Sequence, residues 1–257
     1  MFIWWQAAIM GVVQGITEFL PISSTAHLML TAQLLDIPQT DFSKSFEIII
    51  QFGSILAVLS LYFKKIFNWE AIKKLFVAFL PTAIIGLGLY KIVKTYLLGN
   101  SVIAAWALLV GGILIIIFEY RYRSNNKEGI DSLSKLSYAK CLVIGIFQSL
   151  AIVPGVSRSA ATIIGGLGLG LKRSFIAEFS FLLAIPTMAA ATGLDLLKSA
   201  DSFSKDDLGV LLVGFVVSYF VAILVIKWLV SYLRRFDFIP FGVYRVIIGL
   251  LLLLYLF

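Results

Sequence analysis

Residues that carry charge, metal chemistry or redox chemistry are scarce in this chain. Of 257 residues one is cysteine, Cys141, one is histidine, His27, and only 14% are charged, against about 25% in soluble globular proteins. A lone cysteine excludes an intramolecular disulfide and any multi-thiolate metal centre, and makes redox chemistry a poor expectation. A lone histidine excludes a zinc site built from several imidazoles. No GxxxxGK[ST] pattern occurs, so the paired glycines at 111–112 and 165–166 are read as helix-packing positions and not as a nucleotide loop. The opening residues, Met1-Phe-Ile-Trp-Trp-Gln, lack a cationic region and a small-residue cleavage site; residue 1 is therefore expected to belong to the fold.

What is abundant is apolar sequence: 60% of residues are hydrophobic and the mean hydropathy is +1.00. The expected class is an all-α polytopic membrane protein of one integral membrane domain spanning residues 1–257. Six stretches approach the length of about twenty helical residues needed to cross a hydrocarbon core: 46–63, 75–97, 101–118, 174–196, 207–229 and 241–257. Two further apolar regions, 1–35 and 139–170, are each interrupted by proline and serines. Their arms are short for full crossings, so both are read as re-entrant helical hairpins, with irregular backbone shielded by protein or facing a water-filled cavity.

The net charge of +7 fits membrane orientation better than nucleic acid, because the basic residues flank hydrophobic spans. No nucleic-acid partner is expected. Lys64, Lys65, Lys73 and Lys74 mark one cytoplasmic loop; Arg121, Arg123, Lys127, Lys135 and Lys140 mark a cytoplasmic linker over 119–138, read as solvated. Lys172 with Arg173, and Lys227 with Arg234 and Arg235, mark two more. Lys44, Lys198 and Lys205, balanced by Asp36, Asp41 and Asp201, leave the other loops outside. Threading six spans through this pattern puts both termini outside and gives two repeats of opposite topology, 1–118 and 139–257. Gly11, Gln14, Pro21 and Ser24 recur as Gly145, Gln148, Pro154 and Ser157 if one residue is inserted in the first copy, and Glu47 with Glu178 is a further candidate pair.

Two polar knots interrupt the apolar sequence, and ionisable groups at membrane depth are retained mainly for function. In the first, Gln14 and Glu18 share a helix face and can converge on one cation or water; without its neighbours, Glu18 would read equally well as a protonated glutamate bonded between helices. Pro21 stops that helix, and Ser23, Ser24 and Thr25 follow as candidate caps of the next, leaving backbone N–H groups directed at an anion. The second knot repeats this with Pro154, Ser157 and Ser159, and adds Arg158, suited to bidentate phosphate binding, and Thr162. The bland alternative is that the serines are ordinary caps and that Arg158 pairs with Glu18 or Glu178. His27, three residues after Ser24, is placed to act as general base, general acid or nucleophile. Its singularity rules out the two-histidine lipid phosphatase arrangement.

The chain resembles the undecaprenyl-diphosphate phosphatase family, also called bacitracin-resistance proteins. The resemblance rests on Gln14-Gly-Ile-Thr-Glu18, which fits an (E/Q)xxxE motif, on Phe19-Leu-Pro-Ile-Ser-Ser-Thr-Ala-His27, and on Pro154-Gly-Val-Ser-Arg158-Ser-Ala-Ala-Thr162. It implies a bacterial plasma-membrane hydrolase that releases the terminal phosphate of undecaprenyl diphosphate and recycles the lipid carrier for cell-wall glycan synthesis. It further implies bacitracin resistance, an active site open to the outer face, an inverted-repeat fold and a divalent cation, Mg²⁺ or Ca²⁺. Many relatives carry glutamate where Gln14 stands, which leaves Glu18 as the main anionic metal ligand, helped by Gln14. On this reading Glu18, Ser24, His27 and Arg158 are catalytic. Gln14, Ser23, Thr25, Ser157, Ser159 and Thr162 bind the headgroup. Ser24, His27 and water remain open as nucleophiles, and monomer or homodimer remains open as the assembly. The rival function is a lipid-phosphate flippase or anion transporter using the same paired hairpins; a channel or structural subunit ranks last.

Overall fold

Uninterrupted apolar runs have no alternative to satisfying their backbone internally in lipid, and here each becomes a helix. In a computed structural model, described over residues 3–38, 40–97, 99–122, 129–199 and 207–257, ten α-helices follow one another. They are α1 (Trp4–Thr17), α2 (Ser24–Leu34), α3 (Asp41–Ile66), α4 (Trp69–Ile92), α5 (Ser101–Tyr122), α6 (Tyr138–Ser149), α7 (Arg158–Gly168), α8 (Arg173–Ser199), α9 (Asp207–Tyr232) and α10 (Ile239–Leu256). A π-helical turn, Val93–Leu97, extends α4. Among the described residues the only β interaction is an isolated bridge between Ile130 and Leu171. Arg123, Lys127, Asp201 and Lys205 of the charge pattern lie outside the described residues.

Six helices, α3, α4, α5, α8, α9 and α10, are long and apolar enough to span a bilayer, and they overlap the six predicted stretches, with ends displaced by up to six residues, most in α4. The expected all-α, six-span membrane architecture is borne out. Helices α1 and α2, 14 and 11 residues long, reach only about 21 and 16 Å at 1.5 Å per residue, short of a hydrocarbon core of about 30 Å. Helices α6 and α7, of 12 and 11 residues, form a second short pair.

The two short pairs share backbone detail. Ser23 and Ser157 both have φ +73°, unusual outside glycine, and both cap the next helix by accepting from the amide three residues on, Ala26 and Ala160, at 3.4 and 3.2 Å. At the far ends Asp36 and Gly170 have φ of +50° and +79°; Ile37 N–H donates to Ala32 O, and Leu171 N–H to Gly166 O. Each pair of positions differs by 134 (157 − 23, 170 − 36, 171 − 37), with no insertion. The register with one inserted residue, pairing Ser24 with Ser157, is thereby corrected: Ser23 is the equivalent cap, and Pro21 and Pro154 are not equivalent. Glu47 and Glu178 do not match either. Glu178 pairs with Lys65, whereas Glu47 buries an oxygen with no partner.

Among the described residues, Lys65, Lys74, Lys172 and Arg173 find partners at one end of the bundle. Lys65 reaches Glu178 on α8, Lys74 donates to the Leu133 carbonyl, Lys172 pairs with Asp131, and Arg173 pairs with Glu119 of α5, which also accepts from Phe238 N–H. Within the described part of 119–138, Asp131, Ser134, Lys135 and Ser137 are exposed, while two residues anchor the segment to the bundle. Glu119 and Leu136 are each 1% exposed, because the carboxylate needs charged partners and Ile130, Leu133 and Leu136 are apolar enough to pack on the core.

Candidate functional site at the two helix breaks

The breaks α1–α2 and α6–α7 meet inside the bundle, and a cavity of about 200 Å³ opens between them. Its lining includes Glu18, Ser23, Ser24 and Thr25 from the first break, Pro154, Gly155, Ser157 and Arg158 from the second, and Gln51, Thr82, Thr187 and Met188 from α3, α4 and α8. Gln51, Thr82 and Thr187 each lie 13–15 residues from the basic ends of their helices, about 20 Å along the axis.

Glu18 is the hub. Its Oε1 accepts from Arg158 Nη2 at 2.9 Å, and its Oε2 accepts from Gln14 Nε2 and from Ser24 Oγ, both at 2.8 Å. Arg158 also donates through Nη1 to the Ser180 carbonyl at 2.7 Å and lies over the Phe19 ring. The Glu18 and Arg158 side chains are 4% and 10% exposed, so the pair is largely dry. The ion pair posed as the bland alternative is thus present, and it lies on the cavity wall beside a hydroxyl. Arg158 Nε and Gln14 Oε1 are buried without partners. In native proteins such orphaned atoms are rare.

Of the ten residues singled out in the sequence, Glu18, Ser23, Ser24, Thr25, Ser157 and Arg158 line the cavity, and Gln14 reaches it through Glu18. Ser159 and Thr162 do not line it. Ser159 Oγ donates to the Phe19 carbonyl, tying one break to the other, and Thr162 Oγ1 donates to the Arg158 carbonyl within its own helix. His27 is also placed elsewhere than expected. Its Nδ1 donates to the Ser23 carbonyl at 2.7 Å, and its Nε2, 2.8 Å from the Tyr244 hydroxyl, then accepts from it while the rings stack. Both nitrogens are thereby occupied, one by the Ser23 carbonyl a turn back and the other by Tyr244, while the Ser24 hydroxyl is bonded to Glu18.

The residue the sequence reading passed over is Arg245. Fully buried on α10, it donates to five carbonyls: Pro21 in the first break, Gly155 and Val156 in the second, and Ala107 and Leu108 on α5. Gly111 makes room for it, since a Cβ there would collide with the guanidinium. A solitary arginine inside a predicted span was signal enough to single it out. Gln51, Thr82 and Thr187 offered less, being uncharged. Gln148 appeared only as the repeat partner of Gln14.

A cation held by this site needs oxygen donors beyond one carboxylate. Among the described residues no three His, Cys, Asp or Glu side chains cluster as a cage. Glu18 supplies the carboxylate, and Gln14, whose Nε2 faces it, would have to turn its amide for the unpartnered Oε1 to join it on a divalent ion that completes its shell with phosphate oxygens and water.

Comparison with known proteins agrees over nearly the whole chain. Residues 7–251 match the family described as bacitracin resistance protein BacA. An undecaprenyl-diphosphatase of Sulfurihydrogenibium sp. is 51% identical over 246 residues, 96% of each chain. Enzymes of the same name from Aquifex aeolicus and Wolinella succinogenes are each 49% identical, covering 96% and 97% of both chains respectively.

Proposed function

The chain belongs to the bacitracin resistance protein BacA family, and on that premise we propose that it is an undecaprenyl-diphosphate phosphatase. It removes the terminal phosphate of the lipid diphosphate and returns the monophosphate carrier for cell-wall glycan assembly. The observation that carries this for the site is the convergence of Ser24 and Arg158, from separate helix breaks, on the one carboxylate of Glu18 beside a cavity. The transport reading finds no support among the relatives, which are named for hydrolysis.

In the proposed mechanism Arg158 leaves Glu18 for the phosphate when substrate enters, its unpartnered Nε and its Nη2 offering two parallel donors. The cap serines Ser23 and Ser157 and the Thr25 hydroxyl border the headgroup, while Ser159 and Thr162 hold the second break in shape. Glu18, released from Arg158, takes the proton of the Ser24 hydroxyl it already accepts from, making Ser24 the nucleophile favoured by this geometry. His27 is a positioning residue, fixing the Ser23–Ser24 turn through the Ser23 carbonyl. Glu18 and Gln14 would hold Mg²⁺ or Ca²⁺, which supplies charge neutralisation during phosphoryl transfer.

The gathering of cations at one end supports a cytoplasmic position for that end, and a bacterial plasma-membrane enzyme whose cavity opens outward. The common offset of 134 and the short lengths of α1, α2, α6 and α7 support a duplicated, inverted scaffold with two re-entrant pairs. Exposed apolar flanks leave a homodimer available on the lipid-facing surface.

The test is phosphate release from undecaprenyl diphosphate by purified protein in detergent, with and without Mg²⁺ or Ca²⁺. Metal-stimulated release that disappears in Arg158→Ala and in Ser24→Ala is the expected result. Well-folded protein inactive under every metal condition would reject the reading.

A further inference from the structure

Besides Glu18 and Arg158, the cavity is lined by a neutral polar group of residues, Gln51, Thr82, Gln148 and Thr187. Its hydrogen bonds fix which way the Gln148 amide faces. Thr187 Oγ1 spends its proton on the Leu183 carbonyl at 2.8 Å, and Thr82 Oγ1 on the Gly145 carbonyl at 3.3 Å. Both hydroxyls are thereby acceptors toward Gln148, whose Nε2 donates to Thr82 at 2.8 Å and to Thr187 at 3.2 Å. Gln148 is fully buried, and its Oε1 has no partner. A buried acceptor of this kind is destabilising if nothing ever fills it. An ionised phosphate oxygen is itself an acceptor and gains nothing from Gln148 Oε1; of the groups that would fill it, a cation or an O–H, this wall without a carboxylate favours the O–H.

We propose that Gln148 Oε1 orients the water that hydrolyses the phosphoryl group, making Gln148 a positioning residue for the second reactant. The inference rests on the phosphatase reading. Whether water attacks the substrate or a phosphoryl-Ser24, its oxygen bonds to phosphorus. The bond from phosphorus to the leaving oxygen breaks with both electrons kept by that oxygen, and the proton given up by water passes to it or to solvent. An amide acceptor takes no proton. It aligns the water's oxygen toward phosphorus, as glutamine does in other phosphoryl-transfer sites.

Steady-state kinetics of the full-length protein on undecaprenyl diphosphate, with phosphate inhibition and thermal melting alongside, test this in Gln148→Leu and Gln148→Glu. Loss of the acceptor in Gln148→Leu is expected to lower kcat by about 10- to 100-fold with KM within about twofold. Gln148→Glu keeps an acceptor and adds an anion, so kcat should stay within about threefold while KM rises about tenfold. A merely structural glutamine predicts parallel losses and lowered melting in both variants, which would overturn the proposal. A weakened phosphate inhibition in Gln148→Leu with kcat unchanged would also overturn it, assigning the acceptor to a phosphate hydroxyl. If native protein released no phosphate, the phosphatase reading would fall first and this inference with it.

Discussion

The two helix breaks have nearly the same backbone and opposite chemistry. Ser23 and Ser157 share a φ of +73° and the same capping role, yet the next residue is Ser24 in one copy and Arg158 in the other. At an offset of 134, Glu18 faces Ile152, His27 faces Ala161, and Arg245 faces Gly111. The scaffold is repeated; the site is not. One half contributes the anion and hydroxyl, the other the cation, and the proposed mechanism uses both. The shared backbone places two helix starts at one cavity, and the differing residues place a carboxylate beside a guanidinium there, the pair that the proposed mechanism uses as proton acceptor and phosphate binder.

The sharpest way to break this comparison is to exchange the charges. Removing Glu18 alone, as Glu18→Gln, is expected to cut turnover by about 10²-fold or more. It should also cost about 3–5 kcal/mol of stability, the usual penalty for leaving one member of a buried pair unmatched. The double variant Glu18→Arg/Arg158→Glu restores opposite charges across the same gap, so melting should recover. Phosphate release should not, because the carboxylate then lies on the wrong break, away from the Ser24 hydroxyl. Recovery of both would make the pair structural, and the two breaks chemically equivalent after all.

Arg245 tests what keeps the breaks together. Arg245→Met leaves the carbonyls of Pro21, Gly155 and Val156 without their donor, at about 1–3 kcal/mol for each buried carbonyl left unpartnered, partly offset because a charge is no longer buried. Hydrogen exchange should rise together at both breaks, and turnover should fall less than in Glu18→Gln. A rise confined to one break would show that the two are positioned independently.

At Ser24 and Ser157 the contrast becomes smaller and local. Ser157→Ala should cost only a cap, about 1 kcal/mol, with activity largely kept. Ser24→Ala, which removes no cap, is expected to leave melting unchanged and abolish phosphate release. Equal effects would mean that the hydroxyls serve structure in both copies.

Much of this was legible beforehand. Span positions followed from apolar length alone, since lipid allows the backbone no other solution, and Glu18, Ser24 and Arg158 stood out because charge and hydroxyl groups are expensive at that depth. The repeat register was not legible: two prolines that align in sequence serve different turns, and φ at Ser23 and Ser157 decides the matter. Nor was the fate of His27, whose ring is captured by a partner 217 residues away, Tyr244. Gln148, Thr82 and Thr187 are neutral residues in three separate helices, and only tertiary packing turns them into one wall.

The smallest expected effect concerns a clip that only the second copy is described as having. Beyond its helix pair, Ile130 bridges Leu171, and Asp131 accepts from Lys135 and Lys172 at 3.0 and 3.1 Å. These bonds hold the Asp131 carboxyl down at about 2, below its ordinary 3.8. A carboxylate whose folded pKa is depressed contributes stability that is fully present above the unfolded value and is lost as pH falls toward the folded one. Asp131→Asn should therefore lower melting slightly and by a constant amount above about pH 4, and the gap from native should close between about pH 4 and 2. The group is exposed, so salt should shrink the gap at every pH. A gap indifferent to both pH and salt would mean that backbone pairing at Ile130, and not charge, fastens the second copy.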